Sequence, residues 1–266
     1  MRKLGINWGK SNTYGGVTKQ CYVTHLYREP FYLNINGILT LFSYLANSLL
    51  IYQIIILLLQ PQNPNGIAMA GIYLHIPFCK TRCIYCDFYS TTRNELKSRY
   101  VQALCRELEM RKEYLKREDI ETVYFGGGTP SQLGKEDFEL IFETIRTHYG
   151  LNHCQEITLE ANPDDLTSEY LGMLSSLPFN RLSMGIQTFD DNTLKLLKRR
   201  HNARAAIEAV SRCREAGFRN ISIDLIYGLP GETKERWEND LRQAIALDVE
   251  HISAYHLIYE EDTPIY

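Results

Sequence analysis

Three cysteines lie close together with the spacing CxxxCxxC, at Cys79, Cys83 and Cys86. Three thiolates can hold an iron–sulfur cluster and leave one iron without a protein ligand, because a [4Fe–4S] cube usually takes four cysteines. An iron with a free coordination position can bind a small molecule, as a catalytic zinc does. The spacing therefore predicts a cluster with one open corner. A zinc site and structural thiols beside a turn are the alternatives.

A disulfide framework is not indicated by the remaining cysteines. The chain has 7 Cys, an odd number, and those outside the motif are scattered singly. They are Cys21, Cys105, Cys154 and Cys213. We therefore expect a reducing, cytoplasmic environment.

The composition is that of an ordinary globular protein. The 266 residues are 44% hydrophobic and 23% charged, which is enough for one large domain. The formal net charge of −3 gives no basic excess. A general nucleic-acid partner is therefore not predicted.

The N-terminal quarter differs from the rest, because no Asp, Glu, Lys or Arg stands between Pro30 and Cys79. The apolar segment at 37–60 is long enough to span a bilayer. Basic residues precede it, so the positive-inside rule would place the cysteines outside the cell, away from a reductant. We therefore expect residues 1–68 to be an N-terminal extension outside the working domain, which begins at Met69. A single-span membrane anchor is the alternative.

From residue 71 onward, β-rich runs alternate with helical ones, as in parallel βα units. Helices are predicted at Asn94–Lys116 and Lys135–Tyr149, with further helices after residues 200 and 230. Six strands are predicted: Gly71–Ile76, Glu121–Phe125, Glu156–Ala161, Arg181–Gln187, Asn220–Tyr227 and Glu250–Ile258.

Apolar and polar side chains alternate along four of these strands, whereas a parallel strand buried on both faces is usually apolar throughout. Alternate residues point to opposite faces. The apolar set can face the helices while the polar set lines a wet or ligand-filled interior. The sequence thus predicts an α/β fold built as a partial barrel, with an open doubly wound sheet as the alternative.

A glycine run, GGGTP from Gly126 to Pro130, directly follows the second predicted strand. Glycine lets the backbone approach a ligand, and its N–H groups can form a nest for a carboxylate or another anion. The position at the carboxyl end of a strand favours ligand binding. A plain tight turn between strand and helix is the alternative.

Three polar residues, Glu160, Gln187 and Asp224, fall on the polar phase near the ends of three strands. A ligand with hydroxyl and amino groups would satisfy them, because an unpaired buried charge is costly. Tyr73 and His75, on the first predicted strand, also indicate a ligand site, although a single histidine on a strand is often a core residue with its hydrogen bonds satisfied. Alternatively, the carboxylates pair with Arg181, Arg199 or Arg200, and these pairs only close the barrel mouth.

Six motifs in this order resemble those of the radical S-adenosylmethionine proteins related to oxygen-independent coproporphyrinogen III oxidase, and they are most similar to those of the HemW-type heme chaperones. The resemblance covers about Gly71 to Tyr266, three quarters of the chain. The motifs are HIPFC from His75, CxxxCxxC from Cys79, GGGTPS from Gly126, LEANP from Leu159, SMGIQTF from Ser183 and DLIYGLPG from Asp224.

The resemblance implies a three-quarter (β/α)6 barrel with a [4Fe–4S] cluster on Cys79, Cys83 and Cys86. Its open iron would chelate the amino and carboxylate groups of S-adenosylmethionine. In the family, an electron from the cluster cleaves this sulfonium to methionine and a 5′-deoxyadenosyl radical. The implied partners are heme or a porphyrin as cargo, an electron donor and a heme acceptor protein, without nucleic acid. Membrane contact is expected only through residues 37–60.

The resemblance also assigns residues to the cofactor, while no catalytic residue is assigned. Tyr85 would pack near the cluster. The methionine moiety would be held by Tyr73, Gly127, Gly128 and Thr129. The charged and ribose groups would be held by Glu160, Gln187, Arg199 and Asp224.

Two departures from the family pattern bear on function. The coproporphyrinogen oxidases carry CxxxCxxCxC, but Phe88 stands where the fourth cysteine would be. This favours the chaperone over the oxidative decarboxylation. The heme-binding signature HNxxYW is not matched by His201 and Asn202, which Ala203 follows. We therefore expect residues 69–266 to form a radical SAM partial barrel without the C-terminal heme or substrate domain.

Overall fold

The structure is a computed structural model that describes residues 2–10, 19–27, 69–115 and 118–266. The apolar segment at 37–60 lies outside these ranges. One sheet contains all eight described strands, in the order β2-β1-β3-β4-β5-β6-β7-β8. They are β1 Arg2–Lys10, β2 Lys19–Tyr27, β3 Met69–Ile76, β4 Asp119–Gly127, β5 Glu156–Ala161, β6 Arg181–Gln187, β7 Asn220–Tyr227 and β8 His251–His256.

The six strands β3 to β8 are parallel and follow one another in chain order. β5, β6 and β7 have the predicted bounds. β4 runs on to Gly127, so the first two glycines of GGGTP belong to the strand. β8 ends at His256, two residues before the predicted end.

Two further strands precede the parallel array. β1 pairs with β2 in antiparallel fashion along its whole length, and it pairs with β3 in parallel over Arg2 to Leu4. Both strands fall within residues 1–68, for which no part in the sheet was expected. The predicted domain boundary at residue 68 stays a prediction.

Within the part of the chain that the structure describes, six α-helices accompany the parallel strands: α1 Lys97–Met110, α2 Lys135–His148, α3 Ser168–Leu174, α4 Asp191–Leu196, α5 Ala203–Glu215 and α6 Lys234–Ala246. Four of them begin at a residue whose side chain accepts a backbone N–H of the first turn, which stabilises a helix start. These N-cap residues are Thr167, Asp190, Asn202 and Thr233. α1 is shorter than predicted, because a 3-10 turn occupies residues 94–96 and the helix ends at Met110.

The main core lies between the sheet and these helices. Phe125 of β4 packs against Phe138 and Phe142 of α2 and against Phe179, with ring centroids 5.2–5.6 Å apart. All four rings are buried. Aromatic pairs at these distances stabilise beyond the area they bury. This packing fixes α2 on β4 and leaves the other face of the strand towards the interior.

The interior of the sheet is filled at its base. Thr158, Ser183 and Ser222 belong to the predicted polar phase, and all three are buried. Ser222 contacts His251 Nδ1 at 2.9 Å. The expectation of a wet or ligand-filled interior is therefore wrong at Thr158 and Ser222, which are buried and have hydrogen-bond partners within the chain, whereas Ser183 lines the cavity. The cavity is confined to the carboxyl ends.

The sheet curls into a partial barrel. Tyr73 of β3 and Tyr255 of β8, at the two ends of the parallel array, line the same cavity. No strand pairing joins β3 to β8 within the described ranges. The gap is crossed instead by the chain after β8, where the N–H of Ile265 donates to the carbonyl of Ile84 at 3.1 Å. The open doubly wound sheet is therefore excluded.

None of the helices in the described part of the chain combines the length and the apolar character needed to cross a bilayer.

Candidate functional site

One cavity of about 690 Å³ opens at the carboxyl ends of β3 to β8. It brings together every residue that the sequence assigned to a cluster or a cofactor. These twelve residues are Tyr73, Cys79, Cys83, Tyr85, Cys86, Gly127, Gly128, Thr129, Glu160, Gln187, Arg199 and Asp224. They come from five segments of the chain, so only the folded barrel places them on one wall.

The cysteine loop follows β3 and is held by the glycine turn. Cys79 is buried, its N–H donates to the carbonyl of Thr91 at 2.9 Å, and its Sγ accepts the hydroxyl of Thr129 at 3.3 Å. Burial raises the pKa of the Cys79 thiol, and the Thr129 hydroxyl acts in the opposite direction. Burial also raises the pKa of Cys86. Such thiols become thiolates readily only when a positive charge or a metal compensates for the desolvation.

Within the described ranges, no three His, Cys, Asp or Glu side chains gather closely enough to hold a single metal ion. A [4Fe–4S] cluster is instead bound through separate thiolates on a cube of several irons. Cys79, Cys83 and Cys86 are free thiols that line one cavity and lie near enough to influence one another's ionisation. The thiol set therefore has the chemistry that such a cluster requires.

The glycine turn is explained by packing within the chain. A Cβ on Gly126 would lie 2.9 Å from the Tyr73 and Tyr124 rings, and one on Gly127 would lie 2.4 Å from His75 Nδ1. A Cβ on Gly128 would meet the Pro77 backbone at 2.7 Å. Side chains cannot be accommodated at these distances. The glycines therefore allow the turn to press against β3 and the residues that follow it.

The predicted anion nest is wrong for two of its N–H groups. The N–H of Gly127 donates to Glu160 Oε2 at 3.0 Å, and the N–H of Gly128 donates to the carbonyl of Ile76 at 2.8 Å. Both donors are thus occupied by the protein itself. The turn contributes to the cavity through Thr129 and through its hold on the Glu160 carboxylate.

Glu160 lies near the carboxyl end of β5 and holds its carboxylate inside the cavity wall. Oε1 accepts the hydroxyl of Tyr124 at 2.7 Å, in addition to the Gly127 contact on Oε2. Tyr124 stacks on Tyr73, with ring centroids 5.8 Å apart. Burial raises the pKa of Glu160 above its usual range, against the effect of these two donors. The stacked tyrosines and the turn thus fix a carboxylate that has only neutral donors.

Asp224 on β7 is a second such carboxylate. Ser183 donates to its Oδ2 at 3.5 Å, and burial raises its pKa. No salt bridge joins Glu160 or Asp224 to an arginine among the described residues. Arg181 contacts Glu156, and Arg200 contacts Asp164 and Asp165. Salt bridges with these two carboxylates are therefore absent from the described part of the chain, although the charge of Arg181 lowers the pKa of both against the effect of burial.

Arg199 connects the far side of the cavity to the cysteines. Its Nη2 donates to Asn162 Oδ1 at 2.5 Å and to the carbonyl of Gly185 at 2.6 Å, while Nη1 lies 3.5 Å from Cys83 Sγ. Its Nε is buried without a partner among the described atoms. Tyr85 is half-buried here, and desolvation of its hydroxyl raises its pKa. The guanidinium of Arg199 thus lies beside the Cys83 sulfur and ties this thiol to the far side of the cavity.

Gln187 ends β6 in an unusual backbone conformation. Its φ is 74°, and the pairing of β6 with β7 shifts register between Gly185 and Gln187. Non-glycine residues with positive φ carry local strain and often mark functional sites. The strain turns the Gln187 side chain back over Gly185, where a Cβ would lie 2.8 Å from Gln187 Nε2. The bulge thus brings the amide to the cavity wall beside Arg199.

Asn162 is a site residue that sequence reasoning missed. It follows β5, accepts from Arg199 and donates to Thr129 Oγ1 at 3.4 Å. It therefore links the arginine to the glycine turn. The signal was its place in the LEANP motif, two residues after Glu160. His75, by contrast, is a satisfied core residue, because it is buried and its Nε2 contacts the carbonyl of Tyr89 at 2.9 Å.

The cavity suits a ligand that carries ammonium and hydroxyl groups. Glu160 and Asp224 offer carboxylate oxygens that no salt bridge occupies among the described residues, and Arg199 lines the same cavity. An iron–sulfur cluster with a bound amino-acid nucleotide has complementary groups. The donor set therefore fits both the cluster and S-adenosylmethionine.

Comparison with known proteins agrees with this geometry. The model of the radical SAM superfamily matches residues 73–244, well over half of the chain. A heme chaperone HemW from Bacillus subtilis is 39% identical over 200 residues, which are 74% of this chain and 53% of that protein. A heme chaperone HemW from Lactococcus lactis is 37% identical over 203 residues, which are 76% and 51%. The chain thus spans about half the length of these relatives.

A solved structure shows the same architecture. The radical SAM enzyme coproporphyrinogen III oxidase, HemN, from Escherichia coli superposes with a TM-score of 0.66 at 29% identity, over 72% of this chain and 44% of that one. Elp3 from Methanocaldococcus infernus shares the fold, with a TM-score of 0.55 at 17% identity. The fold, the placement of the three cysteines and the matched family model lead to one conclusion: this chain belongs to the radical SAM superfamily.

Proposed function

We propose that this chain is a radical S-adenosylmethionine protein of heme metabolism that binds heme as a HemW-like chaperone in the cytoplasm. The observation that carries the radical SAM part is the cavity in which three free thiols face two carboxylates without a cation. The heme part is supported by relatives named heme chaperone HemW at 37–39% identity.

In this proposal, Cys79, Cys83 and Cys86 hold a [4Fe–4S] cluster. When bound, the cluster and S-adenosylmethionine supply one-electron cleavage of a sulfonium. Arg199 donates to the Cys83 sulfur at 3.5 Å and holds it in place for the cluster. Tyr85, half-buried in the same cavity, shields the cluster edge from water.

The remaining predicted residues bind the nucleotide. Glu160 and Asp224 accept hydrogen bonds from the ligand's ammonium and hydroxyl groups, because no salt bridge occupies either carboxylate among the described residues. Gln187 offers its amide to the same ligand, while Thr129 connects the nucleotide side to Cys79. Tyr73 and the backbone of Gly127 and Gly128 form the wall against which the methionine moiety lies.

Residues 69–266 form the working domain in this proposal, and residues 1–68 are an extension. The partners are an electron donor for the cluster and a protein that accepts heme, and no nucleic acid takes part. Membrane contact would come only through residues 37–60. Expression from Met1 and from Met69 tests the boundary: equal thermal stability supports it, and failure of the shorter chain to fold overturns it.

Oxidative decarboxylation of coproporphyrinogen III is the second candidate, and one observation favours it: the structural similarity to HemN. Phe88, which stands where the oxidases have a cysteine, counts against it. Carbon dioxide release from coproporphyrinogen III, coupled to methionine formation, would support this activity. A zinc-stabilised module without enzymatic activity is the remaining alternative.

The decisive experiment is anaerobic reconstitution with iron and sulfide, followed by heme titration. We expect a brown protein with about four irons per chain, an electron paramagnetic resonance signal after reduction that S-adenosylmethionine perturbs, and saturable heme binding. Cys83→Ser should abolish the cluster. The matched control is Cys154→Ser, because Cys154 lies outside the cavity.

The outcomes separate the proposals. A colourless protein with one zinc per chain would overturn the proposal of an iron–sulfur cluster. Removal of such a structural zinc should then unfold the domain. A cluster without heme binding would overturn the chaperone assignment alone.

A further inference from the structure

Asp165 lies outside the cavity, behind the cysteine loop, at the end of a short 3-10 turn that follows β5. Its side chain is only 2% exposed. An isolated carboxylate is almost never buried to this degree, because desolvating its charge is costly unless several donors compensate. Its surroundings therefore show what the fold uses it for.

Four donors surround this carboxylate, two on each oxygen. Oδ1 accepts Lys80 Nζ at 2.8 Å and Arg200 Nη2 at 3.0 Å. Oδ2 accepts Ser131 Oγ at 2.9 Å and Gln132 Nε2 at 2.7 Å. Charge-assisted hydrogen bonds of this kind are about twice as strong as neutral ones.

The four donors belong to three segments that each carry a cavity residue. Lys80 follows Cys79 directly, and Ser131 stands two residues after Thr129, which donates to the Cys79 sulfur. Arg200 follows Arg199, which contacts the Cys83 sulfur. Asp165 is thus linked to Cys79 through Lys80 and through the Ser131 segment, and to Cys83 through Arg200 and its neighbour Arg199.

The charges of this cluster balance. Arg200 Nη2 also contacts Asp164 Oδ2 at 2.6 Å, so two carboxylates face two cations. Each carboxylate of the cluster is therefore paired with a cation of the chain, although Asp164 Oδ1 is buried without a hydrogen-bond partner among the described atoms. The role of this cluster concerns the shape of the chain.

We propose that Asp165 is a positioning residue that holds the cysteine loop, the glycine turn and the Arg199 segment together before any cluster is bound. It preorganises the thiols, so that iron and sulfide meet a loop that is already closed. The inference goes beyond the proposed function, because it concerns the protein without cofactor.

The test measures how fast single cysteines react in the apo-protein. Iodoacetamide labelling under anaerobic, reducing conditions, resolved by peptide mass spectrometry, gives separate rates for Cys79 and Cys213. Cys213 belongs to α5 and is wholly buried in the core. It reports global unfolding, whereas Cys79 reports the loop.

In Asp165→Asn, one carboxylate oxygen becomes an NH2 group that faces two donors. We expect Cys79 to be accelerated by a factor about ten times larger than Cys213, because the loop opens locally in addition to the loss of global stability that Cys213 reports. Loss of a nearby negative charge would also favour the Cys79 thiolate. A second variant must therefore separate loosening from charge.

Lys80→Met removes one donor and changes the local charge in the opposite direction. Since Lys80 is 52% exposed, this variant is expected to fold. Loosening predicts that Cys79 reacts about threefold faster, whereas the charge effect alone predicts a slower reaction. Lys80→Arg, which keeps a cationic donor, should restore the wild-type rate.

Asp240→Asn is the matched control, because Asp240 is also buried but accepts from Thr188 and Phe189, away from the cysteine loop. Its Cys79 rate should equal that of the wild type. An unchanged or slower Cys79 reaction in Lys80→Met would overturn the proposal, whether or not Asp165→Asn folds. So would equal acceleration of Cys79 and Cys213 in Asp165→Asn. No arm of the labelling test depends on a cluster or on heme, so its failure and that of the proposed function are distinguishable.

Discussion

Two carboxylates stand five residues apart in this protein, Glu160 and Asp165, and their surroundings differ. Asp165 accepts four donors, two of them cationic, and points away from the cavity. Glu160, five residues earlier, accepts only a tyrosine hydroxyl and a backbone N–H, and lines the cavity. The first carboxylate is satisfied by the chain. The second, Glu160, can still accept hydrogen bonds from a cationic ligand. The comparison therefore separates residues that hold the site together from residues that bind the ligand.

The largest expected effect is on folding when the satisfied carboxylate is changed. Asp165→Asn should lower the free energy of unfolding of the apo-protein by about 3–5 kcal/mol, as loss of one partner from a buried ion pair does. Urea denaturation followed by circular dichroism measures this change. A loss below about 1 kcal/mol is typical of surface ion pairs. It would contradict the view that Asp165, unlike Glu160, holds the site together.

The turn that holds Glu160 should be almost as sensitive. Gly127 has a φ of 111°, and an added Cβ would meet the His75 ring at 2.4 Å. Gly127→Ala is expected to cost about 2–3 kcal/mol of unfolding free energy, through strain and overpacking. Gly172→Ala in α3 is the control, because nothing lies within 4 Å of that position. The control should be neutral or slightly stabilising, and equal losses in both variants would contradict the close approach.

His201 extends the comparison to a buried base. Its Nε2 contacts the carbonyl of Ile186 at 3.1 Å, its Nδ1 lacks a partner among the described atoms, and burial lowers its pKa to about 4. The unfolded state therefore takes up the proton first as the pH falls. Stability is full above the ordinary pKa of 6.5 and is lost below it, by about 2 kcal/mol between pH 7.5 and pH 5.

His201→Gln should flatten this dependence in chemical denaturation at the two pH values, because glutamine can still donate to Ile186. His153→Gln, at an exposed position, is the control and should leave the slope as in the wild type. A slope unchanged in the His201 variant would show that other groups cause the acid sensitivity.

The smallest expected effect has the opposite sign. Glu160→Gln should raise the free energy of unfolding of the apo-protein by about 1 kcal/mol at pH 7, because it removes a buried charge without a cation. Burial raises the pKa of Glu160, so the carboxyl group's contribution to stability is full below its ordinary pKa and is lost as the pH rises through the raised value. The advantage of the variant should therefore vanish at pH 4. Destabilisation at pH 7 would make Glu160 a structural residue like Asp165.

Much of the architecture could be predicted from the sequence because it follows local rules. The alternation of Ile157 and Leu159 with Thr158 and Glu160 gave the phase of β5, and the same phase placed Gln187 and Asp224 on the cavity side. Period two is a property of every strand, so one sequence suffices to read it. All twelve predicted site residues line the cavity for this reason and because the motifs resemble those of a known family.

The contacts that hold the site could not be predicted. Lys80 and Asp165 are 85 residues apart, and Arg199 and Cys83 are 116 residues apart. Neither composition nor periodicity identifies partners at such separations. Side-chain size in three dimensions is equally invisible, which is why GGGTP suggested a nest, whereas its glycines are required by Tyr73, His75 and Pro77. The buried hydroxyl side chains at the base of the barrel could not be predicted, because a buried Ser or Thr follows the same alternation along a strand as an exposed one.

The separation between Cys83 and Arg199 has a consequence for biosynthesis. At about 5–20 residues per second, a ribosome needs roughly 6–23 s to make the 116 residues that part them. Until Arg199 has been made, the Cys83 sulfur lacks the contact that this residue supplies. The emerging cysteines would therefore depend on the reducing power of their surroundings until that part of the chain has joined the barrel.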